Sequence, residues 1–386
     1  MRPRHPRRRA AVALAAALAA LGTGQALGAP TASAAPRSPA PAAAVAAAQD
    51  QAARAIAGSL SDPVWRARVR TAALASDEVP VGTLAEGSLK SALTAADHRV
   101  AVAKGLDGQV GSLLRLRFGD DSMRTAPAAG GVPWVAAAAS DDDTASVTAY
   151  DSRGRAHTLD AREAPAHPVY VVDIDGDQAL AAGLRVLGTE LHRLGVASAA
   201  PAAGHRTRTP RPDTAGRSAG AAAAGFWTTR ITSVELSDDE EPWVKGDAEI
   251  YTLVTGFGQD GKVRVDPVDM PYLDNDGTVY RPNQILVNWS NYKYDLADAV
   301  MMEEDGSTNY RDLAKAIATA LLTIADQGAY IPLVNAVLDA IPDDWWTDDP
   351  DYVDSWYTLA RSDDGTRDGA RGNGRMTVEP YFVPEL

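Results

Sequence analysis

Residues 226–258 read FWTTRITSVELSDDEEPWVKGDAEIYTLVTGFG, and this stretch decides the fold of the second half of the chain. Two segments rich in β-branched and aromatic residues, 226–237 and 248–258, predict strands. The segment between them carries carboxylates that repel one another, and Pro242 and Gly246 interrupt it as they interrupt loops. The stretch therefore predicts two strands joined by an acidic loop.

The sequence downstream continues in the same way. Further strands are predicted in KVRVDPVDMPYL, TVYRPNQILVNW, YKYDLADAVMMEED, DYVDSWYTLAR and RMTVEPYF. Two helices interrupt them, one that Asn309 can cap and one in IPLVNAVLDAI. Residues 226–386 are thus predicted to form an antiparallel β-sandwich with a two-helix insertion.

The first half of the chain mixes helices and strands. A helix is predicted to begin at residues 61–63, Ser-Asp-Pro, and its candidate buried positions are Val64, Val69 and Leu74. Strands are predicted in VPWVAAA, in ASVTAYDSRGRAHTLDA with a turn at residues 152–154, and in HPVYVVDID. A closing helix, DQALAAGLRVLGTELHRLG, carries leucines on one face and ends at Gly195.

Residues 196–225 separate these two parts. They read VASAAPAAGHRTRTPRPDTAGRSAGAAAAG, which is rich in Ala, Gly, Pro and Arg and lacks apolar periodicity, so a flexible linker is predicted. The chain as a whole is predicted to be of the α+β class. A small helix-plus-strand domain covers residues 44–195, and an acidic β-sandwich domain covers residues 226–386.

The N-terminus predicts export. Residues 1–34 combine an Arg-rich start, the apolar run AAVALAAALAALG and the small residues ASA, which is the pattern of a cleaved signal peptide. We therefore expect a secreted, extracellular protein that is not inserted in a membrane after cleavage. The chain has 0 cysteines, so disulfides and thiol chemistry are excluded.

Charge is unevenly distributed along the chain. Residues 226–386 contain 31 aspartates and glutamates against 12 lysines and arginines, whereas the rest of the mature chain is near neutral. Nucleic acid requires a basic footprint, so it is not expected as a partner. An extracellular protein or a glycan is the expected partner.

The acidic loops suggest a metal site. Calcium takes six to eight oxygen ligands, and carboxylates from loops at one end of a sandwich can supply them. Magnesium fits less well because it retains water and uses fewer carboxylates. A calcium site is therefore predicted, with the candidate ligands Asp238, Asp239, Glu241, Asp247, Glu249, Asp348, Asp349 and Asp351.

Two other interpretations of the acids stay open. The acidic loops of an exported acidic protein are often only a solvated surface. Alternatively, paired carboxylates could hydrolyse a glycan or a peptide, although acids are so frequent here that a pairing carries little information. The enzyme motifs H-E-x-x-H and G-x-x-x-x-G-K-[ST] are absent from the sequence. A non-enzymatic binding or cell-surface module is therefore the leading expectation, and no catalytic residue is assigned.

DDEEPWVKGDAEIYTLVTGFG and DDPDYVDSWYTL together resemble the paired acidic motifs of an uncharacterised bacterial secreted family, a domain of unknown function. Its members pair such a sandwich with an N-terminal segment similar to VTAYDSRGRAHTLDA and PVYVVD. The resemblance implies no activity. The acidic loops resemble those of calcium-dependent C2-type sandwiches in layout alone.

Overall fold

A computed structural model describes residues 40–106, 108, 110–125, 131–139, 144–199, 225–237, 243, 245, 248–273, 275–304, 306, 308–341 and 352–385. The predicted signal peptide lies outside these residues. The described residues contain no helix that is long and apolar enough to span a membrane.

Helices open the described chain. They are α1 (Pro41–Ser59), α2 (Pro63–Ala75), α3 (Val81–Leu84) and α4 (Gly87–Ala103). The predicted start of α2 is confirmed, because the Asp62 carboxylate accepts the Val64 N–H at 2.8 Å. Val69 is buried as predicted, but Val64 is 71% exposed and Leu74 is 45% exposed, so those two predictions are wrong. The buried residues of α2 are instead Val69 and Ala73, which lie one helical turn apart on the same face.

A five-stranded sheet, sheet A, follows the helices. Its strands are β1 (Leu114–Phe118), β2 (Trp134–Ala137), β3 (Ser146–Tyr150), β4 (Ala156–Asp160) and β5 (Val169–Ile174), in the order β1-β5-β2-β3-β4. β2 and β5 are parallel, and the other pairs are antiparallel. The predicted β3–β4 turn is confirmed, with Asp151 accepting the Arg153 N–H at 2.9 Å and Gly154 at φ 77°.

Helix α5 (Gly176–Leu194) follows β5 directly, and local chemistry fixes both of its ends. The Asp175 carboxylate accepts the Gln178 N–H at 2.8 Å, and Gly195 ends the helix at φ 99°. The predicted leucine face is buried as expected, at Leu180, Leu184, Leu187 and Leu191.

Two four-stranded antiparallel sheets form the predicted sandwich. Sheet B has the order β11-β10-β7-β8 and sheet C the order β12-β13-β6-β9. The strands are β6 (Gly225–Leu236), β7 (Glu249–Phe257), β8 (Val263–Asp269), β9 (Gln284–Asn288), β10 (Leu296–Glu304), β11 (Tyr352–Ala360), β12 (Gly365–Asp368) and β13 (Gly374–Pro384). Side chains of both sheets, such as Ile231 and Met376 from sheet C and Val254 and Trp356 from sheet B, form one core between them.

The predicted two-helix insertion lies between β10 and β11. It consists of α6 (Tyr310–Leu321) and α7 (Val334–Leu338), and Asn309 caps α6 by accepting the Arg311 and Asp312 N–H groups. The α+β class predicted from sequence is thus confirmed.

A second hydrophobic core joins the two halves of the chain. It extends from Val45 in α1 through the leucine face of α5 to α6 and Ile341. Gly183 of α5 lets the ring of Tyr310 lie directly on the helix, where a Cβ would overlap that ring. The described residues, which begin at residue 40, accordingly belong to one compact unit.

The predicted linker has a described beginning and end. Ala197 forms a parallel bridge to Arg264 beside β8, and Gly225 is the first residue of β6. Residues 200–224 lie outside the described residues. The domain bounds given above therefore stay a prediction.

A crowded carboxylate cluster as the candidate site

The predicted calcium ligands fall mostly outside the described residues. This holds for Asp238, Asp239, Glu241, Asp247, Asp348, Asp349 and Asp351. Glu249 is described and is the first residue of β7. It pairs with Glu304 at the end of β10, and Tyr352 at the start of β11 pairs with Met302 nearby. The strands that follow the two acidic loops thus begin at the same end of sheet B.

The carboxylate of Glu249 points across to the N-terminus of α5. It lies against Gly176, where a Cβ would overlap Oε1. No hydrogen bond to this carboxylate is made by the described residues. Burial raises the pKa of Glu249 well above its ordinary value, and the charges of Asp173, Glu304, Asp177 and Glu303 raise it further. Glu249 is therefore the centre of a cluster of like charges.

Arg117 of β1 attaches the first acidic loop to this cluster. Its Nε donates to Asp173 Oδ2 at 3.0 Å, its Nη1 donates to the Trp243 carbonyl at 3.2 Å, and its Nη2 donates to the Lys245 carbonyl. The Trp243 ring also covers Gly119, and its Nε1 donates to the Asp160 carbonyl at 3.2 Å. Trp243 and Lys245, the described residues of the loop that leads into Glu249, are thus held on sheet A next to Asp173 of β5.

Glu78 extends the cluster on the side of sheet A. Burial raises its pKa from 4.5 to about 7, helped by the charges of Asp173 and Asp175 and opposed by those of Arg117 and Arg115. Arg115 itself makes an ion pair with Asp175. A carboxyl group with this pKa gains and loses a proton near neutral pH. Acid–base catalysts have this property, and so do carboxyl groups that lie close to one another.

Asp269, the last residue of β8, is a third carboxyl group with a raised pKa. Burial raises the pKa from 3.8 to about 6, and the charge of Asp177 adds to the effect. Its Oδ1 is buried without a hydrogen-bond partner in the described part of the chain. Among the described residues, this oxygen of Asp269 is therefore a buried acceptor without a donor.

Glu304 differs from Glu249, Glu78 and Asp269 because both of its carboxylate oxygens accept hydrogen bonds. Lys104 Nζ donates to Oε1, the Gly306 N–H donates to the same oxygen at 2.9 Å, and the Tyr310 hydroxyl donates to Oε2. Lys104 is 0% exposed and Glu304 is 2% exposed. This buried pair links the end of α4 to the end of β10 behind the cluster.

Two kinds of chemistry suit this arrangement. Crowded carboxylates bind a divalent cation, which removes their mutual repulsion, and carboxyl groups with raised pKa values transfer protons. Within the described ranges no group of three or more His, Asp or Glu side chains has the geometry to hold a metal ion. Any metal bound here would therefore need ligands from the acidic loops as well.

Sequence reasoning found part of this site. Glu249 is among the predicted ligands, whereas Asp173 and Asp177 are not. Arg117 was missed, although the alternation in LRLRF, 114–118, is a strand signal that would have placed it. Lys104 and Glu78 carry no local signal, because their partners lie far away in sequence.

Comparison with known proteins identifies a family but no activity. A family model described as Protein of unknown function (DUF3103) matches residues 45–385. This match confirms that the chain has uncharacterised relatives. No curated protein and no solved structure matches the chain.

Proposed function

The chain belongs to the DUF3103 family of proteins of unknown function, and we propose that it is a secreted bacterial binding or cell-surface module with a structural calcium site. The calcium ion would bind at the start of β7, between Glu249 and the acidic loops, in a layout like that of C2-type sandwiches. Its partner would be an extracellular protein or a glycan.

One observation carries the calcium proposal: Arg117 holds the first acidic loop beside Asp173. The loop carboxylates Asp238, Asp239, Glu241 and Asp247 are joined to a segment that is anchored at the cluster, and Glu249 follows them directly. Burial and, after it, the charges of neighbouring carboxylates raise the pKa of Glu249, and a cation shared between the loop and the cluster would offset both effects.

A bound calcium ion would also stabilise a chain that has no disulfide. A ligand that binds only the folded state at a hundred times its dissociation constant adds about 2.7 kcal/mol to the free energy of unfolding. For a chain of this size the corresponding rise in melting temperature is roughly 5 °C.

The test is the melting temperature of the purified protein in EDTA, in calcium and in magnesium. We expect a rise that is specific to calcium and that Glu249→Gln strongly reduces. Glu163→Gln is the matched control, because Glu163 is exposed in the loop between β4 and β5. An equal response to calcium and magnesium, or no response, would contradict the proposal.

A second candidate function is hydrolysis of a glycan or a peptide by paired carboxyl groups. It is favoured by the pKa values of Glu78, about 7, and Asp269, about 6, which suit proton transfer near neutral pH. Under this alternative, Glu78→Gln and Asp269→Asn would abolish turnover in a screen of glycan and peptide substrates. The calcium-dependent shift in melting temperature would then be absent.

A further inference from the structure

Lys104 and Glu304 form a pair that supplies no proposed ligand to the calcium site and no proposed acid or base to the hydrolase alternative. The two side chains are 0% and 1% exposed, and Lys104 Nζ contacts Glu304 Oε1. The chain around them is held on both sides: the Tyr310 N–H donates to the Lys104 carbonyl at 3.2 Å, and Arg311 Nε donates to the Gly105 carbonyl at 2.9 Å. An amine and a carboxyl group are thus kept in contact, away from solvent.

We propose that these two side chains condense to an amide, which cross-links α4 to β10. A proton passes from the ammonium to the carboxylate, and Nζ then attacks Cδ of Glu304. The C–N bond forms, one C–O bond breaks, and the oxygen leaves with two protons as water. No oxidant, cofactor or second substrate is required.

The groups around Glu304 are those that this reaction needs. The Tyr310 hydroxyl donates to Oε2 and the Gly306 N–H donates to Oε1, so the negative charge that develops on oxygen during the attack has donors already in place. Burial raises the pKa of Tyr310 well above its ordinary value, which keeps its hydroxyl protonated. Because the amine and the carboxyl group are already in contact, the reaction proceeds as a unimolecular step and needs no bimolecular encounter.

The environment also favours the product. In water, an ammonium and a carboxylate are stabilised by hydration, which opposes their condensation. In a fully buried pair that hydration is lost at a cost of several kcal/mol for each ion, whereas an amide carries no charge. Burial also keeps water from hydrolysing the amide once it has formed.

Such a bond would serve the purpose that disulfides serve in other exported chains. It joins positions 200 residues apart in a chain that has 0 cysteines. It would therefore restrict the unfolded chain over more than half of its length, as a disulfide does.

The test is the mass of the purified full chain. We expect a mass lower by one water molecule than that calculated for the sequence of the purified chain, after any cleavage of the predicted signal peptide. After proteolysis, tandem mass spectrometry should identify two peptides joined through Lys104 and Glu304. A mass equal to that of the sequence, with both peptides recovered separately, would overturn the proposal.

Lys104→Met tests for other sources of the mass change, and a pair of tyrosine variants tests the role of the hydroxyl donor. Lys104→Met should restore the full mass, whereas persistence of the loss would assign it to dehydration elsewhere and would refute the cross-link. Tyr310→Phe keeps the ring but removes the donor, and we expect a lower cross-linked fraction. Tyr170→Phe is the matched control, because the Tyr170 hydroxyl is buried and has no hydrogen-bond partner among the described residues. Equal cross-linked fractions in these two tyrosine variants would contradict the role given to Tyr310.

Discussion

The carboxylate of Glu249 lies directly against Gly176, the first residue of α5. A methyl group at position 176 would overlap Glu249 Oε1, so the absence of a side chain there is what admits the carboxylate. The first residue of β7 and the first residue of α5, which are far apart in sequence, thus meet through the carboxylate of Glu249.

Gly176→Ala should therefore destabilise the protein. Alanine is favoured over glycine in helices by up to about 1 kcal/mol, but overpacking at Glu249 costs about 1–3 kcal/mol. We expect a lower urea midpoint for Gly176→Ala, and Glu249→Ala in the same chain should restore most of the loss. Gly58→Ala in α1 is the control, because a Cβ there meets nothing within 4 Å, and it should be neutral or slightly stabilising.

Glu78 should make the protein less stable as the pH rises. Its pKa is about 7 in the folded chain against an ordinary value of 4.5, so the folded state holds this proton more tightly than the unfolded state does. Stability is therefore lost as the pH rises from about 4.5 to about 7. Glu78→Gln removes this dependence and should gain at most about 3 kcal/mol at pH 8, with little change at pH 4.

Melting curves of wild type and Glu78→Gln across this pH range measure the effect. Glu163→Gln is exposed and should follow the wild-type curve. A constant difference between wild type and Glu78→Gln at every pH would mean that the pKa of Glu78 is not raised.

Arg117 should be required for the calcium response. Arg117→Gln removes the contacts to Asp173 and to the carbonyls of Trp243 and Lys245, which releases the acidic loop from the cluster. We expect most of the calcium-dependent rise of roughly 5 °C to disappear. Arg115→Gln is matched in charge but contacts Asp175 and not the loop, so it should keep the response. Equal losses in the two variants would indicate a general effect of charge.

Asp354→Asn should destabilise the sandwich strongly. This carboxylate is 0% exposed and accepts backbone N–H groups of Arg371 at 2.7 Å, Asn373 at 2.9 Å and Gly374 at 2.6 Å. An amide directs its NH₂ group at some of these donors, which costs about 2–4 kcal/mol. Chemical denaturation measures the loss, and Asp364→Asn, at an exposed position, should leave the midpoint unchanged.

The elements that the sequence predicted well are those with local causes. The leucine spacing and Gly195 were enough to predict α5, and Asn309 was enough to predict the start of α6. In each case the interactions that form the element lie within a few residues of one another. Strand β1 was not among the predicted strands, although LRLRF alternates apolar and basic residues, and its two arginines contact Asp175 and Asp173.

The α+β class, the sandwich with its helical insertion and the acidity of the segment before β7 were determined by the sequence itself. They follow from hydrophobic periodicity, turn residues and charge, which are local properties. Only the tertiary structure decided that Glu249 lies against Gly176, that Arg117 contacts Trp243 and Lys245 of the first acidic loop, and that Lys104 is buried against Glu304. These pairs are separated by about 70 to 200 residues, and contacts at such separations arise from the packing of whole elements, which leaves no periodic pattern in the chain.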